Sequence, residues 1–169
     1  MEWDVLFKAV SDTSVATAIR ESGSVFPWLE SVHVLAVTLV VGSIAIVDLR
    51  LLGITSLNRA VSRVMKDVLP CTWVAFLVAL ITGLTLFASN ALSYSHNFYF
   101  QGKIILLALA GLNMLTFQFF GSKNIAHWDT SAQTPLAAKV ASVTSLVLWI
   151  SVVGFGRWIG FTLQPVMIG

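Results

Sequence analysis

The chain has 169 residues, of which 57% are hydrophobic and only 11% charged, with a net charge of +2 and a mean hydropathy of +0.86. Soluble domains average about 25% charged residues, so this composition points to an integral membrane protein, and the small net charge argues against nucleic acid as a partner. Cys71 is the only cysteine, which rules out an internal disulfide, a two-cysteine metal site and an iron–sulfur cluster.

The first 24 residues are expected to be an interfacial segment. Acids precede any basic residue and no continuous apolar core follows, so the start is not a signal peptide and should stay on the mature protein. Trp3, Leu6, Phe7 and Val10 fall at helical spacing, and Thr13 or Ser14 can cap a second short helix running to Arg20. Two short amphipathic helices lying on the membrane surface are predicted.

Four apolar stretches are long enough to cross about 30 Å of hydrocarbon. They cover residues 28–49, 68–88, 103–121 and 138–158, with short connections between them. The predicted fold is all-α: a four-helix transmembrane bundle in one domain, with sequential neighbours antiparallel. Arg50, Arg59, Arg63, Lys66, Lys123 and Lys139 fall on one side. Lys8, Arg20, Lys103 and Arg157 fall on the other, together with five acids. The positive-inside tendency makes the first side cytoplasmic and puts both termini in the periplasm of a bacterial inner membrane.

Within the first span, WLESVHVLAVTLVVGSIAIVDLRLLG, the ionisable residues mark the two boundaries: Glu30 and His33 at one, Asp48 and Arg50 at the other. Ionisable groups at membrane depth are costly and are functional suspects by default. His33 begins roughly 7 Å below the level of Trp28, Lys103 opens the third helix from the same side, and Arg157 closes the fourth there. His96, in the loop between the second and third spans, belongs to that side too, whereas His127 does not.

A haem b accounts for this set. Iron takes a neutral imidazole, the propionates take basic partners near the interface, and the ring takes apolar helix faces. His33 is the candidate axial ligand, His96 the candidate second metal ligand, and Lys103 and Arg157 the candidate propionate partners. Glu30, one turn before His33, is placed to fix its tautomer. Gly42, nine residues after His33, is read as lying on the same broad face, where a flat cofactor edge could rest. The plainer readings are interfacial polarity for the histidine, snorkelling for the two basic residues, and close helix approach for the small residues Gly42, Ser43, Thr82, Gly83, Ala108, Gly111, Gly154, Gly156 and Gly160. Asn113 is assigned to a hydrogen bond between helices. Asp48 and Arg50 are read as neutralising each other or capping the cytoplasmic end, with a proton or ion route starting at Asp48 as the alternative.

The run LESVHVLAVTLVVGSIAIVDLRLLG, then NFYFQGK at the head of the third helix, Asn113 within it, and the pattern from Trp149 to Arg157, together resemble a bacterial family of small four-helix membrane proteins of unknown function, DUF6644. The resemblance covers nearly the whole chain. It implies that Glu30, His33, Asp48, Arg50, Lys103 and Arg157 occupy the family's motif positions. The family is in turn distantly similar to copper-resistance D proteins and to cytochrome b561-type haem b proteins, although this chain lacks the several intramembrane histidines of a two-haem cytochrome.

Three functions are therefore weighed. The leading expectation is a haem b electron-transfer subunit exchanging electrons with a periplasmic redox partner or with quinone, in contact with other membrane subunits or a second copy of itself. The second is a protein that transports or handles copper or another small solute, for which the scattered Met65, Met114 and Met167 speak poorly. The third is a cofactor-free accessory subunit in which His33 only ties helices together.

Overall fold

In a computed structural model, residues 2–121, 125–131 and 134–163 are described, and all of their regular structure is helical. Two short helices, α1 (Glu2–Ser11) and α2 (Ser14–Glu21), precede the long α3 (Val25–Leu51) and α4 (Val61–Ser89). A six-residue α5 (Ala91–His96) leads into α6 (Phe98–Thr116), which ends in a π-helical turn over Phe117–Gly121. The short α7 (Ile125–Trp128) and the long α8 (Leu136–Thr162) complete the chain. Lys123 and Met167, and the side chain of His127, lie outside what is described.

Four helices are long and apolar enough to cross a membrane, so the protein is a multi-pass membrane bundle. Their ends differ from the predicted ones for local reasons. Helix α4 starts at Val61 rather than near residue 68, because Arg63, Lys66 and Asp67 are good or neutral helix formers once outside the hydrocarbon. Its 29 residues would span about 43 Å, well over the hydrocarbon thickness. Helix α3 tolerates Pro27 because it falls in the first turn, where the missing N–H has no intrahelical partner to lose. Helix α6 begins five residues before Lys103: Asn97 caps it by accepting from Phe100 N at 3.1 Å. Lys103 therefore sits more than a turn inside the helix instead of opening it.

Helix α3 packs along α4 on one side and α8 on the other, and α8 packs along α6. Small and hydroxylated residues at three- and four-residue spacing make these contacts: Ala36, Val40 and Ser43 on α3, and Ala138, Ser142, Ser145 and Val152 on α8 are all buried. The large apolar side chains of the spans face outward, as a lipid-exposed surface requires. The remaining side, between α4 and α6, is not packed along its length. It is bridged at one end by stacked rings, Phe87 on Phe100 at 5.2 Å, with Tyr94 5.4 Å from Phe100 and Phe7 5.8 Å from Phe87.

The N-terminal helices dock on that same end. Arg20 donates to the carbonyls of Ser89 at 2.8 Å and Ser11 at 3.2 Å, and the Ser11 hydroxyl accepts from Ala91 N at 2.8 Å. Both helices exist as predicted, but they roof the bundle end at α4 and α5 in addition to exposing apolar side chains such as Trp3 and Val15.

At the opposite end a second core of Leu51, Val61, Trp128 and Ala138 closes the structure. Asp129 holds the start of α4 there, accepting from Ser62 N at 2.7 Å and Ser62 Oγ at 2.6 Å. These hydrogen bonds to the hydroxyl and amide of Ser62 keep the carboxyl below the ordinary aspartate range.

Candidate functional site

His33 is partly buried and faces α4. A Cβ added to Gly83 would lie 2.9 Å from His33 Cε1, so the glycine is what admits the ring to the α3–α4 contact. His33 Nδ1 lies 3.0 Å from Thr82 Oγ1. That hydroxyl is itself 2.7 Å from the Val78 carbonyl and 3.2 Å from the Ala79 carbonyl.

The tautomer follows from proton counting. A threonine hydroxyl has one proton and two lone pairs, and at 2.7 Å the proton belongs on the line to Val78, one turn back. With Thr82 donating to Val78, its oxygen can accept from the imidazole, which also reaches the Ala79 carbonyl; the tautomer with the proton on Nδ1 satisfies the Thr82 contact and keeps the lone pair on Nε2. The arrangement is a histidine oriented by a neighbour, with its second nitrogen left to bind something else.

The other residues expected at this site distribute as follows. Lys103 is the charge whose field reaches the imidazole, and its Nζ lies 3.6 Å from where a Cβ on Gly156 would be, so the side chain crosses α8 at that glycine. Arg157, one residue along and therefore about 100° around the helix, is exposed and stacks on Phe161 of its own helix at 5.2 Å. Glu30 is exposed and makes no hydrogen bond to His33. Burial, and after it the Glu30 carboxylate, raise the Tyr94 phenol above its ordinary value, which places Glu30 toward the aromatic roof. The orienting role expected of Glu30 falls to Thr82.

Two further expectations are corrected. Nine residues make about two and a half turns, so Gly42 lies on the side of α3 opposite His33; it is exposed, with nothing within 4 Å of an added Cβ. Gly111, Gly154 and Gly160 also face open space, while Gly83, Gly102 and Gly156 meet neighbouring side chains. His96 ends α5 and pairs through Nε2 with Asp4 Oδ1 at 3.0 Å on the exposed surface. It is held by the N-terminal helix, and among the described residues no three His, Cys, Asp or Glu side chains are placed to hold a metal ion.

The opposite end carries a second polar group. Arg50 is fully buried, donating through Nε to the Arg59 carbonyl at 2.8 Å and through Nη2 to the Asp129 carbonyl at 3.3 Å. Asp48 is buried as well and faces α8, where the hydroxyls of Ser145 and Ser142 meet its carboxyl. The two do not neutralise each other: positions two apart on a helix point to different sides. Ser142 and Ser145 were not singled out in the sequence, where serines in an apolar run look like ordinary helix contacts. Asn113 donates to the Ala141 carbonyl at 3.0 Å, joining α6 to α8 as expected.

No curated protein and no solved structure matches the chain. The signature of a family described as of unknown function, DUF6644, matches residues 7–162, and the chain belongs to that family.

Proposed function

We propose that the chain is a haem b-binding membrane subunit for electron transfer, with His33 as the iron ligand through Nε2. The observation that carries the reading is the His33–Thr82–Val78 chain of hydrogen bonds, which leaves a lone pair on Nε2 of a histidine within a span. Iron ligation by histidine uses this arrangement, one nitrogen bound and the other donating to a fixed oxygen. Lys103 supplies a nearby cation for a propionate, and the loosely packed side between α4 and α6 supplies apolar helix surface. Arg157 and His96, which point elsewhere, are not part of this site.

When bound, haem b supplies a one-electron iron couple. The protein's own residues would hold the ring and exclude water: Thr82 keeps the imidazole in one tautomer, Gly83 admits it, and the rings of Phe87, Tyr94 and Phe100 cover one end. Because the site lies toward one end of the bundle, electrons must be exchanged with a redox partner at that surface or with quinone in the bilayer. The distribution of basic residues favours the periplasmic face of a bacterial inner membrane for it.

The test is an absorption spectrum of the full chain purified from a haem-replete host. A Soret band and a pyridine haemochrome, both lost in His33→Ala, are the expected result. Haem-free protein from such a host sinks the reading.

A further inference from the structure

Two buried polar atoms among the described residues have no hydrogen-bond partner: Asp48 Oδ2 and Arg50 Nη1. Both side chains are more than nine-tenths buried, at 6% and 0% exposure. Arg50 turns its remaining donors to loop carbonyls and forms no ion pair with Asp48. The other charged groups on the helices packed against this part of α3 are Arg63, Lys66 and Asp67 of α4 and Lys139 of α8. None of the three basic residues forms an ion pair with Asp48, and Asp67 is paired with Arg59.

The groups that Asp48 does face are the hydroxyls of Ser145 and Ser142, which are neutral and supply no counter-charge. Ser142 Oγ also lies 2.9 Å from the Ala138 carbonyl, so its single proton is shared between that carbonyl and the Asp48 carboxyl. A buried carboxylate without a counter-charge is strongly disfavoured in a membrane.

We propose that Asp48, Ser142 and Ser145 form a binding site for a small exchangeable cation, Na+ or a proton, between α3 and α8. All the donors are hard oxygens carrying one negative charge in total, which suits a monovalent ion over a divalent or soft metal. The site is separate from His33, near the other end of α3, and stands whether or not haem is bound.

The test uses the full chain in detergent or nanodiscs, with radioactive Na+ binding in one arm and pH-difference infrared spectroscopy of the carboxyl stretch in the other. Saturable Na+ binding identifies the metal ion. A protonated-carboxyl band without Na+ binding identifies the proton. Either signal should vanish in Asp48→Asn. In the milder Ser142→Ala and Ser145→Ala variants, Na+ affinity should fall about tenfold, or the carboxyl band should shift. Neither signal in the folded wild type, or a signal that all three variants retain, overturns the proposal.

Discussion

His33 and Thr82 meet across the α3–α4 interface, 3.0 Å from Nδ1 to Oγ1, in a contact that only a small residue at position 83 allows. The interface therefore contains a donor with two acceptors in reach, the Thr82 hydroxyl and the Ala79 carbonyl. Replacing Thr82 with valine, which keeps the shape and removes the oxygen, should remove this bond and cost about 1 kcal/mol, the usual net worth of one hydrogen bond. Thr82→Ser should retain most of the bond. Thermal unfolding of the two variants in detergent measures the difference, and equal midpoints would show that the bond contributes nothing.

Gly83→Ala tests the same contact from the other side. The added methyl would stand 2.9 Å from His33 Cε1, too close for an ordinary contact, so the ring or the helix must shift. A destabilisation of about 1–3 kcal/mol is expected from overpacking. At Gly111, where nothing lies within 4 Å, the same substitution should be neutral or stabilising, since alanine is the better helix former by about 1 kcal/mol. The contrast between the two glycines is the measurement.

How far the sequence carried this picture depends on the range of the interaction. The four spans were legible because each is a long apolar run and the bilayer sets the length scale. Their ends were less so, since hydropathy stops at Arg63, Lys66 and Asp67 while the helix does not. The short α5 was hidden among asparagines and serines that read as a loop. At the site, residue types placed His33 and Lys103 toward one end, but side-chain direction was beyond reach. Position 157 differs from 156 by about 100°, enough to turn one toward Lys103 and the other outward. The Asp4–His96 pair joins residues 92 positions apart, and Thr82–His33 joins residues 49 apart. No local pattern encodes either.

Arg50 should be the costliest single residue at the far end of the bundle. It is fully buried and ties α3 to the loop before α4 and to the end of α7 through the carbonyls of Arg59 and Asp129. Arg50→Ala should lower stability by about 2–4 kcal/mol, from lost charge-assisted bonds and the cavity left behind. Arg50→Lys should rescue only part of this, because one ammonium cannot reproduce the guanidinium fork. Full rescue by lysine in chemical unfolding would show that charge alone matters.

Asp129 gives the pH dependence a sign. Its carboxyl accepts from the Ser62 hydroxyl and amide, and these bonds lower its folded-state pKa below the ordinary value. A depressed carboxyl contributes stability that is present above the unfolded value, about 3.9, and is lost as pH falls through the folded value. Asp129→Asn should therefore cost about 1 kcal/mol near pH 7, the usual worth of a helix N-cap, and progressively less as the wild type protonates below pH 4. Unfolding midpoints of both proteins across that range should converge in acid; a constant gap would mean the ionised form is not what holds α4.

Arg20 controls the roof. Its guanidinium reaches the Ser89 carbonyl at the end of α4 and the Ser11 carbonyl at the end of α1, so one side chain joins both N-terminal helices to the spanning bundle. The Phe7–Phe87 edge contact and the Ser11–Ala91 bond add to the docking, but each engages α1 alone. Arg20→Ala should lose about 1.5–3 kcal/mol of docking free energy, the range for hydrogen bonds from a charged donor. That corresponds to opening of α1 and α2 roughly tenfold to a hundredfold more often, with the four spans unchanged. Hydrogen exchange should accelerate by that factor over residues 2–21 and stay at wild-type rates in α3 and α8. Acceleration spread evenly over the whole chain would instead make Arg20 part of the global fold.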